Sequence, residues 1–192
     1  MEITGKEALQ KLIDGNKRYI AQTLIHPNQT TDRRRELVKG QKPFAAILSC
    51  SDSRVPPEVI FDQGLGDLFV IRVAGNVLDT TTIASAEYAA EHLDVPILVV
   101  LGHSKCGAVT AAVNSGGTEG HIGDLMKIIE PAVKKARDMD GDLIDNAIKV
   151  NVEMVVEQLK ELSPVISHLV SEGKLEIIGA LYDLESGEFM VL

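Results

Sequence analysis

The chain has 192 residues, 45% apolar and 24% charged, a balance that fits a single globular domain. Its 19 Lys and Arg stand against 28 Asp and Glu, a formal charge of −9, which leaves no cationic excess to neutralise the phosphates of a nucleic acid. The longest apolar run, residues 95–101, contains Pro96 and falls far short of the roughly 20 residues that a membrane-spanning helix needs.

The first residues carry neither a basic region nor an apolar one, so no secretory signal is read and a cytoplasmic location is expected. Thr4 and Glu7 form a capping-box pattern ahead of apolar residues at helical spacing, and the segment near 4–22 reads as an amphipathic helix that need not pack on its own subunit. A short helix follows from Asp32, taken as its N-terminal marker, to Lys39, with Gly40 as its stop. Residues 1–40 form an N-terminal helical arm and residues 41–192 an α/β core, together one domain.

Within that core, Phe44–Ser49, Leu68–Val73, Pro96–Leu101 and Leu175–Leu181 are apolar runs too short for helices and read as buried strands. Helical patterns lie between and after them, at Pro57–Asp62, Thr80–Leu93, from Cys106 onward, Ile122–Asp138, Leu143–Leu162 and Pro164–Glu172. Phe189–Leu192 reads as an edge strand. This alternation predicts a mostly parallel sheet of four to five strands flanked by helices.

Two of the strands run directly into polar residues: Phe44–Ser49 into Cys50-Ser51-Asp52-Ser53-Arg54, and Pro96–Leu101 into Gly102-His103-Ser104-Lys105-Cys106-Gly107. Ligands of open α/β sheets bind beyond the carboxyl ends of strands, so both loops can share one crevice if the strands are neighbours. Cys50 and Cys106, the only cysteines, then converge with His103. Two thiolates and an imidazole suit zinc better than the oxygen-seeking calcium or magnesium, and three protein ligands leave a fourth position open, as catalytic zinc sites do. Spacing alone also admits a redox pair, an inert buried cysteine, or a structural site completed by His92 or His121. Asp52 and Arg54, two apart in a segment read as extended, project the same way and can form a clamped carboxylate beside the ion.

The run 50–54, together with 66–76 (GDLFVIRVAGN) and 102–109 (GHSKCGAV), resembles the β-class carbonic anhydrases in three ordered motifs. That resemblance implies one zinc per subunit held by Cys50, His103 and Cys106, and a catalytic dyad of Asp52 and Arg54. It implies a pocket lined by Gln41, Phe69, Tyr88 and Gly107, and reversible hydration of carbon dioxide to bicarbonate by attack of zinc-bound hydroxide. It further implies a homo-oligomer, a dimer or a multiple of dimers, with active sites at the dimer interface and the Thr4–Ala21 helix reaching over the partner. A relative hydrolysing carbonyl sulfide or carbon disulfide, or a zinc- or redox-sensing module, are the competing readings; the clamped carboxylate argues against a sensor. In members inhibited through a second bicarbonate site, a Trp three residues before the first cysteine joins an Arg and a Tyr. Arg72 and Tyr182 match, but Ile47 stands in place of the Trp and the chain contains no Trp, so Asp52 is expected on Arg54 rather than on the metal.

Overall fold

The computed structural model describes residues 3–114 and 119–192. Among the described residues five strands form one sheet: β1 (Ala45–Ser49), β2 (Leu68–Arg72), β3 (Ile97–His103), β4 (Glu176–Tyr182) and β5 (Phe189–Val191). Their spatial order is β2-β1-β3-β4-β5; the first four pair in parallel and β5 closes the edge antiparallel to β4. β1 and β3 occupy the middle and are buried on both faces at every residue, which is why their sequences run apolar without alternation. β2 and β4, also read as buried, are only partly so, with Arg72 and Glu176 exposed, because β2 is the sheet's edge and β4 is flanked on one side by only the three-residue β5.

Each face of the sheet has its own core. On one, Ile47, Val99 and Leu101 meet Ala8 and Leu12 of α1 (Gly5–Ile20), Ile60 of α3 (Pro57–Ile60), Val109 of α5 (Gly107–Asn114) and Ile129 of α6 (Gly120–Ala136). On the other, Leu48, Leu98 and Val100 meet Ala86 of α4 (Thr80–Glu87), Val152 and Val155 of α7 (Leu143–Leu162) and Ile166 of α8 (Pro164–Ser171). Among the described residues no helix is long and apolar enough to cross a membrane.

Three local expectations change. The short second helix, α2 (Thr31–Glu36), is capped by Thr30, whose Oγ1 accepts from the Arg33 amide at 3.1 Å; Asp32 lies in the first turn, where its charge favours the helix dipole. The helix beginning at Thr80 stops at Glu87 and continues as one wide π turn, Tyr88–His92. The third concerns α1, whose apolar side packs on its own subunit. Thr4 and Glu7 form the expected capping box, but Ala8 and Leu12 are fully buried in the chain's own core. Asn16 donates to the carbonyls of Ile60 and Gly187 and accepts from the Phe189 amide, tying α1 to α3 and β5. The exposed part of the N-terminal region is the stretch after α1, where α2 buries no residue.

Candidate metal centre and its carboxylate

Because β1 is flanked by β2 on one side and β3 on the other, the chain switches direction between β1 and β3, and this is where an open sheet leaves a crevice at its carboxyl end. Cys50 is the first residue beyond β1, His103 ends β3, and Cys106 precedes α5, whose Thr110 amide bonds the Cys106 carbonyl. Strand β3 runs two residues further than its apolar pattern, because its pairing with β4 continues to His103 opposite Tyr182. The ligand atoms of Cys50, His103 and Cys106 all lie within 4.8 Å of one another, and all three residues are buried.

The two sulfurs are 4.0 Å apart and both cysteines are free; a disulfide needs about 2.05 Å. The Cys106 thiol beside Cys50 holds the Cys50 thiol well below the ordinary range, and the same contact together with burial pushes Cys106 up. The Gly75 amide donates to the Cys50 sulfur at 3.2 Å. His103 Nδ1 lies 2.9 Å from the Ser104 carbonyl, which fixes the proton on Nδ1 and turns Nε2 toward the sulfurs. That Nε2 is buried with no hydrogen-bond partner among the described residues. A buried, lone-pair-bearing nitrogen without a donor, beside two sulfurs, fits a thiophilic cation, and zinc is the common one for this donor set. His92 and His121 are both exposed, and His121 pairs with Asp124, so neither joins the cluster.

Asp52 and Arg54 do pair, but not through an extended segment. The Arg54 amide bonds Asp52 Oδ1 at 3.0 Å and the Val55 amide bonds the Asp52 carbonyl at 3.1 Å, so residues 52–55 form a turn closed by the aspartate itself. Arg54 Nε and Nη2 then grip the two carboxylate oxygens at 2.9 and 2.7 Å. This guanidinium holds the Asp52 carboxyl far below the usual carboxylate range, against a smaller opposing effect of burial. Asp52 Oδ2 lies 3.9 Å from His103 Nε2, at the edge of the cluster. Arg54 Nη2 also reaches the Lys105 carbonyl at 3.2 Å, joining the two loops.

Arg72 has a part that its motif position did not reveal. Its Nε donates to the Cys50 carbonyl at 2.9 Å and its Nη2 to the Asp52 carbonyl at 2.6 Å, so it anchors the loop on both sides of Ser51. Tyr182 is buried with its hydroxyl 3.3 Å from that of Tyr19, and Ile47 is fully buried in the core. Gly107 opens α5 next to Cys106, and a Cβ added there would meet nothing within 4 Å.

The other pocket candidates are not gathered at this cluster. Phe69 and Tyr88 pair with each other, ring centroids 6.0 Å apart, and Tyr88 is half exposed. Phe69 sits opposite Ala46, four residues short of Cys50, or about 13 Å down the strand at the usual rise. Gln41 precedes β1 and lies exposed at its amino end, with all five residues of β1, about 16 Å, between it and Cys50.

A mostly parallel α/β sheet carrying a buried two-sulfur, one-nitrogen cluster and a clamped carboxylate at its switch point defines a protein with a candidate catalytic metal centre. Comparison with known proteins narrows the class. Residues 45–189 match the family model described as carbonic anhydrase. "Carbonic anhydrase 2" of Mycobacterium tuberculosis is 42% identical over 184 residues, covering 94% of this chain and 89% of that one. The carbonic anhydrase of Mycolicibacterium smegmatis is 39% identical, with the same coverage of each chain. Among solved structures, the β-carbonic anhydrase CcaA superposes with a TM-score of 0.77 at 30% identity over 95% of this chain and 94% of its own. One of two enzymes described as tetrameric β-carbonic anhydrases from Sordaria macrospora superposes with a TM-score of 0.76 at 28% identity, over 83% of this chain and 85% of its own. The chain belongs to the carbonic anhydrase family, in its β class.

Proposed function

We propose that the protein catalyses the zinc-dependent, reversible hydration of carbon dioxide to bicarbonate and a proton, with one zinc per subunit held by Cys50, His103 and Cys106. The observation that carries this reading is the unpartnered His103 Nε2 facing two sulfurs, with a clamped carboxylate oxygen 3.9 Å away. The metal supplies Lewis acidity that makes water a nucleophile near neutral pH.

The chain's own residues do the rest. Asp52, kept ionised by Arg54, can only accept; it accepts a hydrogen bond from the attacking water and so turns the oxygen lone pair toward the substrate carbon. Arg54 occupies both carboxylate oxygens and so keeps Asp52 from becoming a ligand itself. Gln41 donates its amide to the substrate oxygen that gains charge, Phe69 and Tyr88 form apolar walls, and the open space over Gly107 admits the substrate.

Gln41, Phe69 and Tyr88 cannot reach Cys50 within one subunit, given the strand lengths between them, so a second copy supplies them and the enzyme works as a homodimer or a multiple of dimers. Ile25, Val38, Leu65 and Tyr88 are apolar and exposed, as an uncovered interface would leave them. The Leu65 amide bonds the Asn28 carbonyl and Arg33 bonds that of Leu65, which brings the stretch after α1 beside Leu65. Free, buried cysteines fit a reducing compartment, and a cytoplasmic location belongs to this reading.

The test is stopped-flow hydration of carbon dioxide by protein of measured zinc content. Turnover proportional to bound zinc and rising toward alkaline pH is expected. Zinc-loaded protein without hydration would overturn the reading, and carbonyl sulfide would be the next substrate.

A further inference from the structure

Asn151 lies on the buried face of α7, four residues before Val155 and among apolar neighbours, and is only 4% exposed. A buried amide on such a face requires a partner. Its Nδ2 donates to the Gly75 carbonyl at 2.9 Å, across 76 positions of sequence. Gly75 follows β2 in a short turn with φ 70° and ψ 15°, a left-handed conformation that side chains seldom adopt; an added Cβ would also stand 2.9 Å from Ile129 Cδ1. The Gly75 amide, on the other side of the same residue, donates to the Cys50 sulfur at 3.2 Å. Helix α7 is thus joined, through one glycine, to a hydrogen bond on a candidate metal ligand.

We propose that Asn151 is a positioning residue for Cys50: by holding the Gly75 carbonyl it fixes the turn that aims the Gly75 amide at the sulfur. An N–H donated to a thiolate draws charge from it and fixes its lone-pair direction, so this link sets both the donor strength and the placement of Cys50. Outer partners of metal ligands act in this way, and their loss costs about 10- to 100-fold in metal affinity or activity. The inference rests on Cys50 being a metal ligand.

The experiment compares wild type, Asn151→Leu and Val155→Ala, all loaded with cobalt(II) and separately with zinc. Val155→Ala loosens the same helix face without touching Gly75. In Asn151→Leu the sulfur-to-cobalt charge-transfer band should move to lower energy, and zinc should pass to a chelator about 10-fold faster or more. Val155→Ala should show neither change at a similar loss of melting temperature. Should Asn151→Leu fail to fold, Asn151→Ser, which is shorter and cannot reach Gly75, carries the same expectation. An unshifted band and unchanged release in a folded Asn151 variant overturn the proposal. A wild type that binds neither metal with sulfur ligation overturns the metal reading instead, and the two failures are separate.

Discussion

Arg54 distributes its donors over three acceptors, the two oxygens of Asp52 and the Lys105 carbonyl, while touching none of the three candidate ligands. It follows that Arg54→Ala should retain one zinc per subunit yet lose activity by about 100-fold or more, since misplacing a reacting group by an ångström costs that much. Metal analysis beside hydration rates checks this; an active variant removes the dyad from the mechanism. At this scale the gathering of Cys50, His103 and Cys106 and the pairing of Asp52 with Arg54 were legible through short motifs that follow their strands, taken together with the family resemblance. Arg72 was legible only as a match to a regulatory position, although its guanidinium anchors the Cys50 and Asp52 carbonyls. Asn151 was not legible at all, since one amide within an apolar helical pattern carries no local signal.

Among the elements, α1 matches its predicted extent, and its apolar side rests on the chain's own sheet. Its Gly15 allows the helix to lie against α3: a Cβ there would stand 1.8 Å from the Phe61 carbonyl oxygen. Glycine to alanine inside a helix ordinarily gains about 1 kcal/mol, but the clash here is with backbone, so Gly15→Ala should instead destabilise by about 1–3 kcal/mol in urea unfolding. A gain would mean that α1 does not rest on its own subunit. The segment after α1 is tied down by Asp62, 2% exposed, which accepts from Arg18 Nε and from the amides of Ile25 and His26. Burial pushes the Asp62 carboxyl up, yet Arg18 and the two amides outweigh it, and it stays below the usual range. A depressed carboxyl stabilises the fold above its unfolded value, about 3.9, and loses that contribution as pH falls through its folded value. Asp62→Asn should therefore cost about 1–3 kcal/mol at neutral pH, and the gap to wild type should narrow below about pH 4. A gap that held constant into acid would assign the loss to shape rather than charge.

For the whole molecule, the separation of Gln41 from Cys50 by the length of β1 has a direct consequence in a shared site. Gln41→Ala and Arg54→Ala should each be nearly inactive alone. In a mixed dimer, however, one site carries both substitutions and the other carries neither. Dissociating and reassociating an equal mixture should restore about a quarter of wild-type activity, because random pairing makes half the dimers mixed with one intact site each. No recovery, with subunit exchange verified by mass, would place Gln41 in the same subunit's site or outside it.

Local pattern determined the alternation of strands and helices and placed Cys50 and His103 at the ends of two apolar strands, since each depends on neighbours within a few positions. The π turn at Tyr88, the Thr30 cap and the aspartate-closed turn at 52–55 departed from that pattern by small local rearrangements. Only the tertiary structure decided the strand order that brings β1 beside β3, the seating of α1 on its own sheet, the anchoring of the Cys50 loop by Arg72, and the reach of Asn151 to Gly75. Those features arise from contacts between distant residues, each chemically ordinary on its own, and acquire meaning only when packing brings them within hydrogen-bond range.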